Sequence, residues 1–179
     1  MSTYIMPRFQ NRIFESNQFP FILHCDQLSD NYRVLPHWHE EIEILVFKSG
    51  EAYAICNQEK LHCRAGDVLF INSFCFHSLE HITEQCTYNC IFFGISIIEN
   101  FHSLKIPDFN LSDNPEALHS LNIVIDEYEN HRPEFQSLIR MQLNSSLIYI
   151  ARNNQYLSEI YSTKKNNLLT KKCNRQFFI

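Results

Sequence analysis

The sequence predicts a mainly β domain that is followed by two antiparallel α-helices. Short apolar runs recur about every ten residues between positions 21 and 98, with turn residues between them, a pattern typical of an all-β barrel or sandwich. Fifteen Phe and eight Tyr favour pleated, half-buried strands. After residue 110 the apolar period becomes helical. The length of 179 residues suits one domain with short appendages.

Composition excludes several classes of protein. No stretch approaches the roughly 20 consecutive apolar residues that a membrane-spanning helix needs. Charged residues and prolines interrupt the first 30 residues, so we expect no secretory signal and a cytoplasmic location. The seven cysteines are odd in number and contain no Cys-x-x-Cys pair, which favours reduced core residues over disulfides or a zinc ribbon.

Charge is distributed unevenly along the chain. From Lys164 onward there are five basic residues and no acidic ones, whereas the preceding part holds ten basic and twenty acidic residues. An acidic body repels nucleic acid phosphates, so we expect no direct DNA binding by this chain. We interpret residues 156–179 as a solvated basic tail, either the start of a linker or a truncated end.

Strand candidates occupy the segment 21–110, which we interpret as one barrel. Residues 1–20 are irregular and rich in aromatic residues, so we expect an N-terminal arm that packs on the barrel. The candidate strands are Phe21–Leu28, Glu41–Lys48, Ala52–Asn57, Lys60–Arg64, Asp67–Asn72 and Tyr88–Ile98.

Residues 111–155 predict the two helices. Asn114 and Pro115 are a typical helix start, because Asn caps exposed N–H groups and Pro suits the first helical position. A second helix is expected to open at Pro133-Glu134. Its apolar residues cover more than one face, so one face can lie on the barrel and another can form a dimer seam. The expected seam residues are Phe135, Leu138, Ile139, Leu143, Leu147 and Ile150.

A polar set on one predicted strand carries the chemistry. His37, His39 and Glu43 share a parity, so on a single extended strand their side chains would share a face. Two imidazoles and a carboxylate are common ligands of Zn, Fe, Ni or Mn. Glu41 has the same parity and could replace Glu43 if the strand is kinked. His77 follows a second strand and turn, and completes a candidate set of four ligands.

These residues and their spacing resemble the two conserved motifs of the cupin family. His37, His39, Glu43 and Gly50 stand at the spacing of the first motif, and Gly66 and His77 match the second. The chain departs from the second motif at 72–74, where Asn-Ser-Phe stands in place of Pro-x-Gly. The resemblance implies an antiparallel double-stranded β-helix, with His37, His39, Glu43 and His77 at the metal positions.

A fuller resemblance is to the N-terminal domain of AraC-type transcription regulators. It rests on residues 37–45 (His-Trp-His-Glu-Glu-Ile-Glu-Ile-Leu), 65–72 (Ala-Gly-Asp-Val-Leu-Phe-Ile-Asn), 76–78 (Phe-His-Ser), 127–130 and 132–135. It implies a small-molecule effector pocket inside the barrel, formed around His37, His39, Glu43 and His77, and a homodimer formed through the helices. Members continue into a helix-turn-helix domain that 156–179 have no room for, so we expect a truncated product or a stand-alone sensor.

Three hypotheses for function follow. In the first, the chain is a non-enzymatic sensing and dimerisation domain. In the second, it is a small metal-dependent enzyme of the dioxygenase or isomerase type. In the third, it pairs with a full-length regulator and titrates it. The four-residue set itself has three interpretations: a site for a divalent metal, direct contacts to an organic effector, or a structural polar network.

Overall fold

A computed structural model describes residues 8–30, 32–98 and 108–153. It confirms the predicted fold class, because ten strands in two mainly antiparallel sheets are followed by two helices. The strands are β1 Arg8–Phe9, β2 Phe21–Leu28, β3 Val34–Trp38, β4 Ile42–Ser49, β5 Glu51–Cys56, β6 Glu59–Arg64, β7 Val68–Ile71, β8 His77–His81, β9 Cys86–Phe93 and β10 Phe109–Ser112. The helices are α1 Pro115–Asn130 and α2, residues 135–153.

Ten strands form two five-stranded sheets. The first has the order β1-β3-β8-β5-β6, and the second has the order β10-β7-β4-β9-β2. Each neighbouring pair is antiparallel except β1 and β3, which are parallel. The parallel pair attaches residues 8–9 of the N-terminal arm to the first sheet, beside the start of the loop that leads to β4.

Two apolar layers hold these elements together. The inner layer lies between the sheets and includes Leu45, Phe47, Leu79 and Tyr88. The outer layer lies between the second sheet and the helices. It uses the alternate residues of the same strands, so β4 is buried on both faces up to Phe47. This arrangement explains why residues 42–47 are continuously hydrophobic except for Glu43, which faces the inner layer.

Besides small shifts at strand ends, the observed strands include β1, β3, β8 and β10, which the sequence did not predict, and one predicted strand is shorter. The predicted strand Tyr88–Ile98 ends at Phe93, and a short 3-10 turn, Ile95–Ile97, follows it. Gly94 lies between them, where an added Cβ would meet the ring of Pro20 in the arm, so the backbone packs closely on the arm at the point where the strand ends. The short strands β3 and β8 were missed, because each holds polar residues that give no clear alternation of two.

The first helix begins as expected. The side chain of Asn114 accepts a hydrogen bond from the N–H of Ala117 at 2.9 Å, and Pro115 is the first helical residue. The second helix begins one residue after the predicted Pro133-Glu134, because Glu134 has a positive φ of 63° and lies outside the helix. The amide of Asn114 also donates to the carbonyl of Tyr149 near the other end of α2, so the helices run antiparallel.

Four of the six expected seam residues lie inside one chain. Ile139, Leu143, Leu147 and Ile150 are fully buried in the outer layer, against the second sheet and α1. These four residues therefore lie in the interior of one chain and not at the predicted seam, because they have no exposed surface that a partner could contact. Phe135 is half-buried and also packs on this layer. The predicted basic tail lies outside the described residues.

Candidate functional site

Four polar side chains meet in the hollow between the two sheets. They are His37 on β3, His39 in the following loop, Glu43 on β4 and His77 at the start of β8. Each of them is less than 5% exposed, and their ligand atoms all lie within 4.8 Å of one another. The structure thus brings together all four residues that the sequence predicted.

The premise of a single extended strand was wrong. Residues 37 and 43 lie on β3 and β4, which belong to different sheets, and the chain crosses between the sheets at 39–41. The side chains still converge, because each strand turns its inward face to the same hollow. Glu41 is not part of the cluster. Its carboxylate lies 3.7 Å from Nδ1 of His39, on the side of the ring away from Glu43.

Backbone carbonyls fix the orientation of all three imidazoles. Each ring nitrogen Nδ1 hydrogen-bonds to a carbonyl oxygen two residues away. The pairs are His37 with Leu35 at 2.9 Å, His39 with Glu41 at 3.0 Å and His77 with Cys75 at 3.0 Å. Because a carbonyl oxygen only accepts, Nδ1 carries the hydrogen in each ring. The other nitrogen, Nε2, is then left with its lone pair when the ring is neutral.

Glu43 is the centre of these contacts. Its Oε2 lies 2.9 Å from Nε2 of His39 and 2.9 Å from Nε2 of His77, and the thiol of Cys90 donates to Oε1 at 2.9 Å. The contact with His77 is outside hydrogen-bonding geometry, so this buried Nε2 has no hydrogen bond. Two lone pairs facing a carboxylate repel it unless a proton or a cation lies between them.

The electrostatics of the cluster follow from this geometry. Burial raises the pKa of Glu43, but the electrostatic effect of His77 and His39 on the carboxylate outweighs burial and holds that pKa well below its usual value. Burial also lowers the pKa of His77, but the nearby Glu43 raises that pKa by more, so it lies above its usual value. Burial and then the charge of His77 lower the pKa of His37 to about 4, so His37 is neutral at pH 7.

This donor set fits a divalent metal ion. Three Nε2 atoms and one carboxylate are ligands that Zn²⁺, Fe²⁺ or Mn²⁺ accept, and the Nδ1 hydrogen bonds are the usual outer contacts of metal-bound histidines. The unsatisfied Nε2 of His77 is the observation that a cation would explain. His37, His39, Glu43 and His77 would hold the ion, which would supply a Lewis acid at the base of the hollow.

A cavity of about 270 Å³ opens above the cluster. His37, Glu43, Cys90 and Phe92 line it beside the cluster. The other lining residues come from the arm, β2 and their neighbours. They are Gln10, Arg12, His24, Asp26, Tyr32, Val34 and Tyr88. The candidate site is therefore larger than the four predicted residues.

Two of the missed residues had a signal in the sequence. His24 and Asp26 have the same parity as Leu28 on the predicted strand Phe21–Leu28, and Leu28 is in the inner layer. That alternation could have placed both in the hollow. Gln10 and Arg12 belong to the irregular arm, which has no periodicity to interpret. The guanidinium of Arg12 lies 3.2 Å over the ring of Phe92.

The fold and the cavity define a cupin-type barrel that can enclose a small molecule. Residues 24–145 match the AraC-like ligand binding domain family, and the chain belongs to that family. A stretch of 56 residues is 41% identical to the uncharacterized HTH-type transcriptional regulator YdeC of Bacillus subtilis (strain 168). It spans 31% of this chain and 19% of that regulator, so the chain accounts for only part of the length of this relative.

One solved structure with a TM-score above 0.5 supports the fold. ToxT from Vibrio cholerae O395, bound to (E)-4-(8-methylnaphthalen-1-yl)but-3-enoic acid, superposes with a TM-score of 0.55 at 11% identity. The likeness covers 75% of this chain and 57% of ToxT. An RmlC-like cupin protein from Methanocaldococcus jannaschii gives a TM-score of 0.40 at 11% identity, over 45% of this chain and 74% of that one. Among the described residues, no helix has the length and apolar character to cross a membrane.

Proposed function

We propose that this chain is the effector-sensing domain of a transcription regulator and not an enzyme. The observation that carries the proposal is the cavity of about 270 Å³, whose wall includes Gln10 and Arg12 of the N-terminal arm. A small molecule in this cavity contacts the barrel and the arm together. Membership of the AraC-like ligand binding domain family supports this function.

The arm offers a route from the cavity to the helices. It continues from Arg12 to Gln18, whose carbonyl accepts a hydrogen bond from Arg140 of α2 at 2.6 Å. An effector that binds one position of the arm more tightly than another shifts the arm between them. That shift changes how α2 is held, and so how it is presented to a partner.

The partner surface of this proposal is the outer face of α2. Met141 is 65% exposed and Ile148 is 37% exposed, and the half-buried Leu138 precedes them at helical spacing. A second copy of the chain is the expected partner, and a full-length regulator with a similar helix is the alternative. Direct DNA contact is not part of the proposal, because the body of the chain is acidic.

A metal-dependent enzyme is the second candidate function. The observation that favours it is the buried set of three histidines and Glu43, all within 4.8 Å. A metal held there can act on a bound molecule or can simply bind it. The two functions differ in whether a molecule in the cavity is consumed.

One experiment separates these functions. Protein purified without chelator is analysed for metal content and native mass, and metabolites that raise its melting temperature are then incubated with it. The sensing function predicts stabilisation, an unchanged metabolite and changed hydrogen exchange in the arm and α2. Chemical conversion of the metabolite, abolished by His39→Ala, would establish the enzyme instead.

A further inference from the structure

The wall of the cavity carries two opposite charges that are not paired with each other. Arg12 enters from the arm, and Asp26 projects from the inward face of β2. The charge of Arg12 acts on the carboxylate of Asp26, but the two side chains form no salt bridge. The cavity thus presents a separated cation and anion to whatever occupies it.

Arg12 keeps donors available for a ligand. Its guanidinium carbon lies 3.2 Å from the centre of the Phe92 ring, and one Nη donates to Gln10 at 3.3 Å. Its Nε is buried and has no hydrogen-bond partner among the described residues. An unsatisfied buried N–H costs free energy that a bound acceptor recovers. A carboxylate is the acceptor that matches the planar fork of a guanidinium.

Asp26 has the complementary property. Burial raises the pKa of Asp26, and in the part of the chain that the structure describes no hydrogen bond or ion pair reaches its carboxylate. The carboxylate of Glu43 also lines the cavity, so this side of the wall is acidic. An ammonium group is the ligand group that satisfies such a carboxylate best.

The cavity volume limits the size of the ligand. A space of about 270 Å³ holds roughly nine water molecules at about 30 Å³ each, which suits an organic molecule of about ten non-hydrogen atoms. Val34, Tyr88 and Phe92 add apolar and aromatic surface to the wall. A short apolar or aromatic group can therefore lie beside the two charged groups.

We infer that the effector is a small zwitterion of the α-amino acid class, with its carboxylate on Arg12 and Gln10 and its ammonium on Asp26. This inference rests on the proposed sensing function and names its ligand. The separated charges distinguish this ligand from a neutral sugar, which satisfies neither charge. They also distinguish it from a simple carboxylic acid, which leaves Asp26 without a partner beside a second negative charge.

The test uses titration calorimetry and thermal shift on the full chain. The probes are the common α-amino acids, the deaminated acid and the decarboxylated amine of each, and neutral pentoses and hexoses. We expect at least one amino acid to raise the melting temperature. We also expect its matched acid and amine to bind at least about tenfold more weakly, which is about 1.4 kcal/mol.

Two variants assign the charges. Arg12→Gln should weaken the amino acid and the acid but not the amine, and Asp26→Asn should weaken the amino acid and the amine but not the acid. Arg8→Gln on the same arm and the exposed Glu59→Gln are matched controls that should leave binding unchanged. The melting temperature of each variant without ligand confirms that it folds.

Three results would overturn the inference. They are binding of only the neutral sugars, equal binding of an amino acid and its deaminated acid, and no binding of any probe. The sensing function fails separately, when a bound amino acid is consumed or when it leaves hydrogen exchange in the arm and α2 unchanged.

Discussion

Arg140 on α2 donates to the carbonyl oxygen of Gln18 at 2.6 Å, across 122 positions of sequence. Its other Nη lies 3.4 Å and 3.3 Å from the carbonyl oxygens of Ser96 and Ile97, and its guanidinium lies 5.4 Å from the ring centre of Phe19. One side chain therefore joins the second helix to the arm and to the 3-10 turn that follows β9. Since the arm also supplies Arg12 to the cavity, Arg140 links the cavity to the helix.

Removing this link should loosen the arm. Arg140→Gln loses charge-assisted hydrogen bonds, each contributing about 1.5–3 kcal/mol when buried and less here because the group is partly exposed. We expect the free energy of unfolding, measured in urea, to be lower by about 1–2 kcal/mol. We also expect the backbone amides of residues 10–19 to exchange hydrogen faster. Arg152→Gln, on the exposed face of the same helix, is the control. Unchanged exchange in the arm would show that Arg140 does not hold it.

The four-ligand cluster predicts metal-dependent stability. Zn²⁺ or Mn²⁺ should raise the melting temperature of chelator-treated protein, because a ligand that binds only the folded state at 100 times its Kd adds about 2.7 kcal/mol. His77→Ala and Glu43→Gln should abolish this shift and the corresponding metal signal by mass spectrometry. His81→Ala, outside the cluster, should keep both. Metal bound at equal stoichiometry by His77→Ala would contradict the assignment.

Much of this site could be predicted from the sequence, for a physical reason. His37 and Glu43 were expected together from parity and motif spacing, although they lie on strands of different sheets. The prediction was still correct, because the inward-facing side chains of both strands point into one hollow. Residues of the same parity therefore meet there, although the chain crosses between the sheets. Which acid would join the cluster was left open between Glu41 and Glu43, since only the bend at 39–41 decides it.

Other features could not be predicted because they depend on docking. Arg12 reaches the cavity only because the arm lies across the barrel mouth, and no local pattern in 1–20 encodes that contact. Four of the six predicted seam residues were misplaced for a similar reason. The helix 135–153 has two apolar faces, and the sequence does not say which one covers the sheet. The face that contains Leu143 covers the sheet, so Met141 lies on the outer surface of the helix.

Buried thiols predict a loss of stability in alkali. Burial raises the pKa of Cys63 to about 12 from an ordinary value of 9.0. Above pH 9 the folded state keeps a proton that the unfolded chain releases. The free energy of unfolding is therefore unaffected by this thiol below pH 9 and declines as pH rises towards 12. The slope is at most about 1.4 kcal/mol per pH unit.

Urea unfolding at pH 8, 9, 10 and 10.5 checks this dependence. The difference in stability between the wild type and Cys63→Ala should fall steadily above pH 9. Cys25→Ala, which removes an exposed thiol, is the control for the substitution itself. A constant difference for Cys63→Ala across the series would contradict the prediction.

The two faces of α2 predict opposite responses to substitution. Met141→Glu and Ile148→Glu place a charge on the outer face, so both should weaken self-association at least about tenfold. Met141→Glu, at the more exposed position, should do so without lowering the stability of one chain. Gln136→Glu, exposed near the start of the same helix, is the charge-matched control. Sedimentation equilibrium over a range of concentrations measures the association constant directly.

Leu143→Ala should act in the other way. It removes a fully buried side chain from the layer between the helices and the second sheet, which typically costs about 2–5 kcal/mol. Because that layer belongs to one chain, the loss should be the same at low and high protein concentration. A loss of stability that disappears at low concentration would mean that Leu143 packs against a partner chain and belongs to the dimer seam.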